Sequence, residues 1–221
     1  MTADGSGVMF DGIAKRYDLC NRLLSMGLDR SWRRRLVDAI GEIGEGAVLD
    51  VATGTADVAI AIARRHPEAH VVGIDPSEGM LSVARRKITG LSIELVSGCA
   101  ESLPFPSDAF AASTMAFGIR NVPDRLAALR EMARVTVPGG VVAVLELGEP
   151  RWSLARAHVH RTVPRIGAWL SGAEAYDYLR ASIAAFPEPD EFTALMERAG
   201  LDFRQHASLT FGAANLFVAT A

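Results

Sequence analysis

The chain has 221 residues, of which 49% are apolar and 22% charged, with a formal net charge of −3. That is enough chain to bury a sizeable core, and the charge balance argues against a nucleic-acid-binding surface. Cys20 and Cys99 lack metal-ligand spacing and read as free thiols, no apolar run reaches membrane-spanning length, and Met1–Gly7 is unlike a signal peptide, so the expected location is the cytoplasm.

From Val8 to Gly41 the pattern is mostly helical, with a break near Ser25–Asp29. Phe10, Ile13, Ala14 and Tyr17 form one apolar face; Trp32, Leu36, Val37 and Ile40 form another. A helical segment ahead of the first strand often lies across the mouth of a site. Tyr17 and Asp18 are therefore candidates to approach a ligand, with packing and capping as their plainer roles.

The stretch Ala47–Asp57 reads as a short apolar strand that breaks into a small-residue turn and opens a helix. Such a turn places free N–H groups against a nucleotide-like ligand. Twenty-one residues after Gly54, the run His70-Val71-Val72-Gly73-Ile74 ends in Asp75. A carboxylate there can take both hydroxyls of a ribose. The G-x-G-x-x-G fingerprint is absent, and Asp50 would repel a phosphate placed beside it. A cationic adenosine ligand suits this turn better, and S-adenosylmethionine is the expected cofactor.

Apolar strands at 47–52, 70–75, 92–97, 110–117 and 141–147 alternate with helical runs at 57–65, 77–87 and 124–135. Two further strands, 203–209 and 215–221, are joined by a connection too short for a parallel crossover, so the seventh strand should run antiparallel. This is the outline of a class I S-adenosylmethionine-dependent methyltransferase: an α/β fold with a mostly parallel seven-stranded sheet, N-terminal helices and a helical insertion after strand five. Loops at the carboxyl ends of strands carry the remaining candidates. Gly98-Cys99-Ala100-Glu101 is placed to meet adenine, and Phe117-Gly118-Ile119-Arg120-Asn121-Val122 puts a guanidinium and an amide beside the ligand. The loop Glu146–Pro150 follows strand five. Val137-Pro138-Gly139-Gly140 reads as a helix stop and turn.

Residues 151–190 interrupt the alternation. Arg151, Arg156, Arg161 and Arg165, with His158 and His160, occur between 151 and 165 without an acid, flanked by Trp152 and Trp169. Such a segment covers a site, rests on an anionic membrane surface, or is simply a solvated helix face. His158 and His160 point different ways on a helix, so no metal pair is expected. A last helix runs from Pro189 to Ala199.

Taken together the motifs resemble the quinone-biosynthesis C-methyltransferases that act on demethylmenaquinol and on methoxy-polyprenyl-benzoquinol. The resemblance rests on Met9–Ala14 with Tyr17-Asp18, on Asn21, Ser25 and Trp32, and on Asp50–Asp57 and Phe117–Val122. Arg134-Val135 with Pro138-Gly139-Gly140, Tyr178–Pro187 and Leu209–Gly212 complete it. It implies cofactor contacts at Thr55, Asp75 and the Cys99-Ala100 pair, with Ala116 near the cofactor and Arg120 and Asn121 beside a prenylated quinol. The chain departs from the pattern at Cys20, Asp29, Ala56, Cys99, Ala116, Val137 and Gly148.

The expected reaction is methylation of a quinol ring carbon. Asp50 and Gly54 shape the cofactor turn, Arg120 stabilises the oxyanion and Asn121 orients the ring; Tyr17, Asp57 or a water accepts the proton, and no metal is needed. A prenyl tail calls for peripheral contact with the inner face of a membrane; homo-oligomerisation is left open. Residues 1–46 form a helical cap, 47–150 the cofactor core, 151–190 the insertion and 191–221 the final helix and hairpin of one domain. Competing readings are another small aromatic acceptor on the same fold, a non-catalytic partner in a biosynthetic complex, and a nicotinamide-dependent oxidoreductase, which the missing glycines disfavour.

Overall fold

Apolar runs alternating with amphipathic ones build a seven-stranded sheet covered on both faces, in a computed structural model that describes residues 22, 25–43, 46–148 and 181–221. The elements are α1 (Asp29–Ala39), β1 (Ala47–Val51), α2 (Asp57–Arg65), β2 (His70–Asp75), α3 (Glu78–Lys87), β3 (Ile93–Ser97) and β4 (Phe110–Ala116). A 3-10 turn (Ile119–Asn121), α4 (Arg125–Val135), β5 (Thr136–Leu147), α5 (Pro189–Arg198), β6 (Asp202–Leu209), a second 3-10 turn (Thr210–Gly212) and β7 (Ala214–Thr220) follow. Tyr17, Asp18, Cys20 and the basic segment 151–169 lie outside the described residues.

The sheet order is β3-β2-β1-β4-β5-β7-β6. Neighbours pair in parallel from β3 to β5, and β7 runs antiparallel to both β5 and β6. The short connection before β7 thus does what its length requires. The order reverses between β1 and β4, and at such a switch point the carboxyl ends of the strands part to leave a crevice.

Inner strands carry apolar residues on both faces because both are covered. On one side Val48, Val71 and Ala112 meet Leu36 of α1 and Ile62 of α2. On the other, Leu49, Val72 and Met115 belong to the cluster that contains Leu129 of α4 and Phe192 of α5. Phe192 is fully buried, with its ring centroid 5.0 Å from Phe186 and 4.7 Å from Phe217. Burial of one such ring is worth about 2–3 kcal/mol. The α1 helix and the residue after it bury Trp32, Leu36, Val37 and Ile40, the face read from the spacing, and leave Arg30, Arg34 and Arg35 in water. Trp32 Nε1 donates to Thr210 Oγ1 at 2.9 Å, which ties α1 to the turn before β7.

One expectation needs correction. Val137-Pro138-Gly139-Gly140 does not precede β5 but lies within it. Phe110 pairs with Thr136 and Ala112 with Val141, so the strand holds extra residues as an exposed bulge, with Gly139 at φ 79°. The Thr136 hydroxyl lies 2.9 Å from that of Ser113 in the core. Among the described residues no helix is long and apolar enough to cross a membrane.

The crevice depends on close contact between β1 and the loop after β4. A Cβ built on Gly118 would stand 2.7 Å from the Ala52 Cβ and 3.2 Å from the Met115 Cγ. Gly118→Ala should therefore cost about 1–3 kcal/mol through overpacking. At about 2–4 °C per kcal/mol for a chain of this size, thermal unfolding should drop by several degrees. An unchanged melting temperature would contradict this packing.

Candidate active site

The turn after β1 is held in an unusual backbone. Ala52, Gly54 and Ala56 alternate at φ 53°, 56° and 67°. For an alanine this region costs on the order of 1 kcal/mol, so the surroundings must impose it. Thr53 N donates to Ile74 O at 3.0 Å, and Ala56 N donates to Thr53 O at 2.9 Å. A Cβ on Gly54 would meet nothing within 4 Å, so the glycine presents bare backbone to the crevice.

Beneath the turn lies Asp50, 1% exposed. Its carboxylate accepts the hydroxyls of Thr53 at 2.7 Å and Thr114 at 2.9 Å, and also the N–H of Ala59. Ala56, the N-cap of α2, has no side-chain cap, and the bond from Ala59 to Asp50 satisfies one of the free N–H groups there. Asp50 therefore holds the turn from beneath, and it also lines the smaller of the two recesses at the site. Burial raises its carboxyl from 3.8 to about 6, against the lowering effect of these hydrogen bonds and of the Arg33 charge.

At the end of β2, Asp75 accepts Gly54 N–H on one oxygen at 2.8 Å and Ser77 N–H on the other at 2.9 Å. The second bond belongs to the turn whose Ser77 hydroxyl caps α3. A carboxylate at the rim of a crevice is an acceptor of the kind that ligand hydroxyls need. Asp75 lines an open recess of about 780 Å³, mouth included, together with Met80, Cys99, Ala100, Ala116 and Asn121. Asp75, Cys99, Ala100, Ala116 and Asn121 are thus brought together. Bare backbone at Gly54 and a rigid carboxylate at the rim fit the adenosyl part of S-adenosylmethionine.

Arg120 is placed differently from Asn121. Its guanidinium is 6% exposed, with Nη1 donating to Glu146 Oε1 at 2.6 Å and to Phe117 O at 2.7 Å. Its backbone N–H donates to Glu146 Oε2 at 3.2 Å. Arg120, expected beside the ligand, is buried and paired with Glu146 at the end of β5. Arg125 secures the same turn from outside, donating to Ile119 O at 3.3 Å and Arg120 O at 3.2 Å.

A smaller recess of about 340 Å³ shares Ala52, Gly54, Ala116 and Phe117 with the first and contains Thr55 and Asp57. Lys87 Nζ donates to Thr55 Oγ1 at 3.1 Å and to Asp57 Oδ1 at 2.5 Å. Arg33 Nη2 lies 3.7 Å from Asp57 Oδ2. Ion pairing thus engages Asp57, one of the expected proton acceptors; Tyr17, another, is outside the described residues. Sequence reasoning missed Arg33, Lys87 and the pairing of Glu146. Only Glu146 left a local signal, as an acid ending an apolar strand.

The Asp50 carboxyl makes stability depend on pH. Unfolded chains release this proton near 3.8, the fold only near 6, so between those values the native state binds more protons. Stability from this group falls as pH rises through that window and is level above it. A shift of about two units corresponds to about 3 kcal/mol. Urea unfolding of wild type and Asp50→Asn should show the variant gaining relative stability by up to that amount from about pH 4 to about pH 7. A difference independent of pH would contradict the assignment.

Comparison with known proteins agrees with this geometry. A model of the ubiE/COQ5 methyltransferase family matches residues 4–221. The chain is 46% identical over 220 residues to the ubiquinone/menaquinone biosynthesis C-methyltransferase UbiE of Geobacter sulfurreducens, covering 95% of this chain and 85% of that protein. It is 45% identical over 217 residues to the demethylmenaquinone methyltransferase of Thermus thermophilus, covering 95% and 98%. A chain from the complex of the Haloferax volcanii Trm112 methyltransferase activator with a methyltransferase superposes with a TM-score of 0.71 at 19% identity, covering 96% of this chain and 97% of that one. This last likeness shows the fold. The chain belongs to the ubiE/COQ5 methyltransferase family and is an S-adenosylmethionine-dependent enzyme.

Proposed function

We propose that this enzyme methylates a ring carbon of a prenylated quinol, demethylmenaquinol above all. The observation that carries the reading is the recess itself, which puts Asn121 in the same open space as Asp75, in a chain of this family. When bound, S-adenosylmethionine supplies a methyl group made electrophilic by its sulfonium, so the protein must hold a nucleophilic carbon in line with it. Asp75 takes the ribose hydroxyls, Cys99 and Ala100 flank adenine, and Gly54, Thr55 and Ala116 border the chain toward the sulfur. Asp50 adds negative potential from beneath the turn.

In this reading Asn121 orients the quinol. Arg120, one layer behind, contributes positive potential to the oxyanion through a water rather than by direct contact. Loss of a hydroxyl proton sends charge to the ortho or para carbon; that carbon takes the methyl group, then releases its own proton and aromaticity returns. With Asp57 engaged by Lys87 and Arg33, a water in the recess is the acceptor we favour for the hydroxyl proton. A polyprenyl tail needs a membrane surface, and we assign that contact to residues 151–169 and the N-terminal helix, at the inner face. The units 1–46, 47–150, 151–190 and 191–221 belong to the same proposal.

The test is mass spectrometry of a reduced-quinone panel incubated with enzyme and methyl-labelled S-adenosylmethionine. The expected product carries label on a naphthoquinol ring carbon. Preference for a benzoquinol would move the substrate to the ubiquinone side, and no labelled quinol at all would end this reading. Arg120→Gln removes the positive charge but keeps an amide that can donate to Glu146. Its kcat should fall by about 100-fold while cofactor affinity stays within about two-fold, and full turnover would remove Arg120 from the scheme.

A further inference from the structure

We infer that Arg33 receives the carboxylate of the cofactor's amino-acid end, in the smaller recess beside the β1 turn. This rests on the cofactor being S-adenosylmethionine. The two recesses share Ala52, Gly54, Ala116 and Phe117, so a ligand that enters by one continues into the other past bare backbone. Asp75 marks the ribose end. Its hydrogen bond to Gly54 ties that end to one of the residues common to both recesses. Beyond the ribose the cofactor carries its sulfur and then an amino-acid carboxylate, which needs a cation. Arg33 is the arginine that lines the smaller recess.

Its setting is that of a prepared receptor. Arg33 is 8% exposed, and its Nη1 donates to Asp29 Oδ2. Asp29 is itself buried and accepts the hydroxyl of Ser25 at 2.9 Å. The guanidinium carbon lies 5.4 Å from the centroid of the Phe117 ring, which borders both recesses. An arginine has five N–H donors in a fixed fork. Here Nη1 makes the one hydrogen bond formed by the side chain among the described residues, since Asp57 Oδ2, at 3.7 Å from Nη2, is beyond hydrogen-bond distance. Arg33 already faces Asp29 and, at 3.7 Å, Asp57, and Asp50 lines the same recess. Lys87 shares Asp57, and the hydroxyls of Thr53 and Thr114 satisfy Asp50, so the remaining guanidinium donors can serve a ligand carboxylate. An Arg fork matches a carboxylate in two parallel bonds, and no lysine would reproduce that.

Calorimetric titration of the full chain with S-adenosylhomocysteine and with its decarboxylated counterpart separates this role from a structural one. The wild type should bind the carboxylate-bearing ligand about 10–100-fold more tightly, the value of a charge-assisted hydrogen bond. Arg33→Gln should erase that preference while leaving affinity for the decarboxylated ligand within about two-fold. Arg33→Lys, which keeps the charge opposite Asp29, should retain only part of it. No preference in the wild type overturns the inference without any variant having to fold. A preference unchanged in Arg33→Lys or Arg33→Gln, or an equal loss for both ligands, overturns it too. If the wild type binds neither ligand, the cofactor reading itself fails.

Discussion

A buried carboxylate under the β1 turn governs the geometry of the site. Asp50 binds the Thr53 hydroxyl from the turn, the Thr114 hydroxyl from β4 and the Ala59 N–H from the start of α2. Three elements that must converge at the switch point thus share one acceptor. A carboxylate accepts several bonds without needing a donor in return, which a neutral amide could not match. Desolvation costs part of that gain and appears in its raised pKa. Left-handed backbone at Ala52 and Ala56 persists because this anchor over-determines the turn.

A second buried acid plays the matching part across the crevice. Glu146 is fully buried and takes both the side chain and the backbone N–H of Arg120. The pair fixes the turn that places Asn121 in the recess. Buried ion pairs contribute little net stability, but removing one partner is costly, and that makes the arrangement specific. Each wall of the cleft thus carries a carboxylate inside the protein and a functional group at its surface. Rigidity comes from behind, and the ligand meets backbone and small side chains.

Much of this was legible in the chain. The spacing from Gly54 to Asp75 put the acid at the end of a neighbouring strand, and β1 and β2 do pair in parallel, whereas the hydrogen bond from Gly54 N–H to Asp75 was not foreseen. Strand positions and the antiparallel end of the sheet followed from apolar runs and one short connection. The bulge at Val137–Gly140 did not, because local turn residues look the same whether a strand stops or merely bows out. Arg33 was hidden among Arg30, Arg34 and Arg35, and only the packing of α1 against the sheet decides which arginine turns inward. The pairing of Arg120 with Glu146 was not legible, since nothing near Arg120 in sequence announces a partner 26 residues on.

The central claim is that the two recesses form one site for the methyl donor. Diffraction from crystals grown with S-adenosylhomocysteine tests it most directly. The account predicts ribose hydroxyls on the Asp75 carboxylate, adenine beside Cys99 and Ala100, and a ligand continuous past Gly54 into the smaller recess. A nucleoside bound elsewhere, or one that leaves Asp75 untouched, would contradict it.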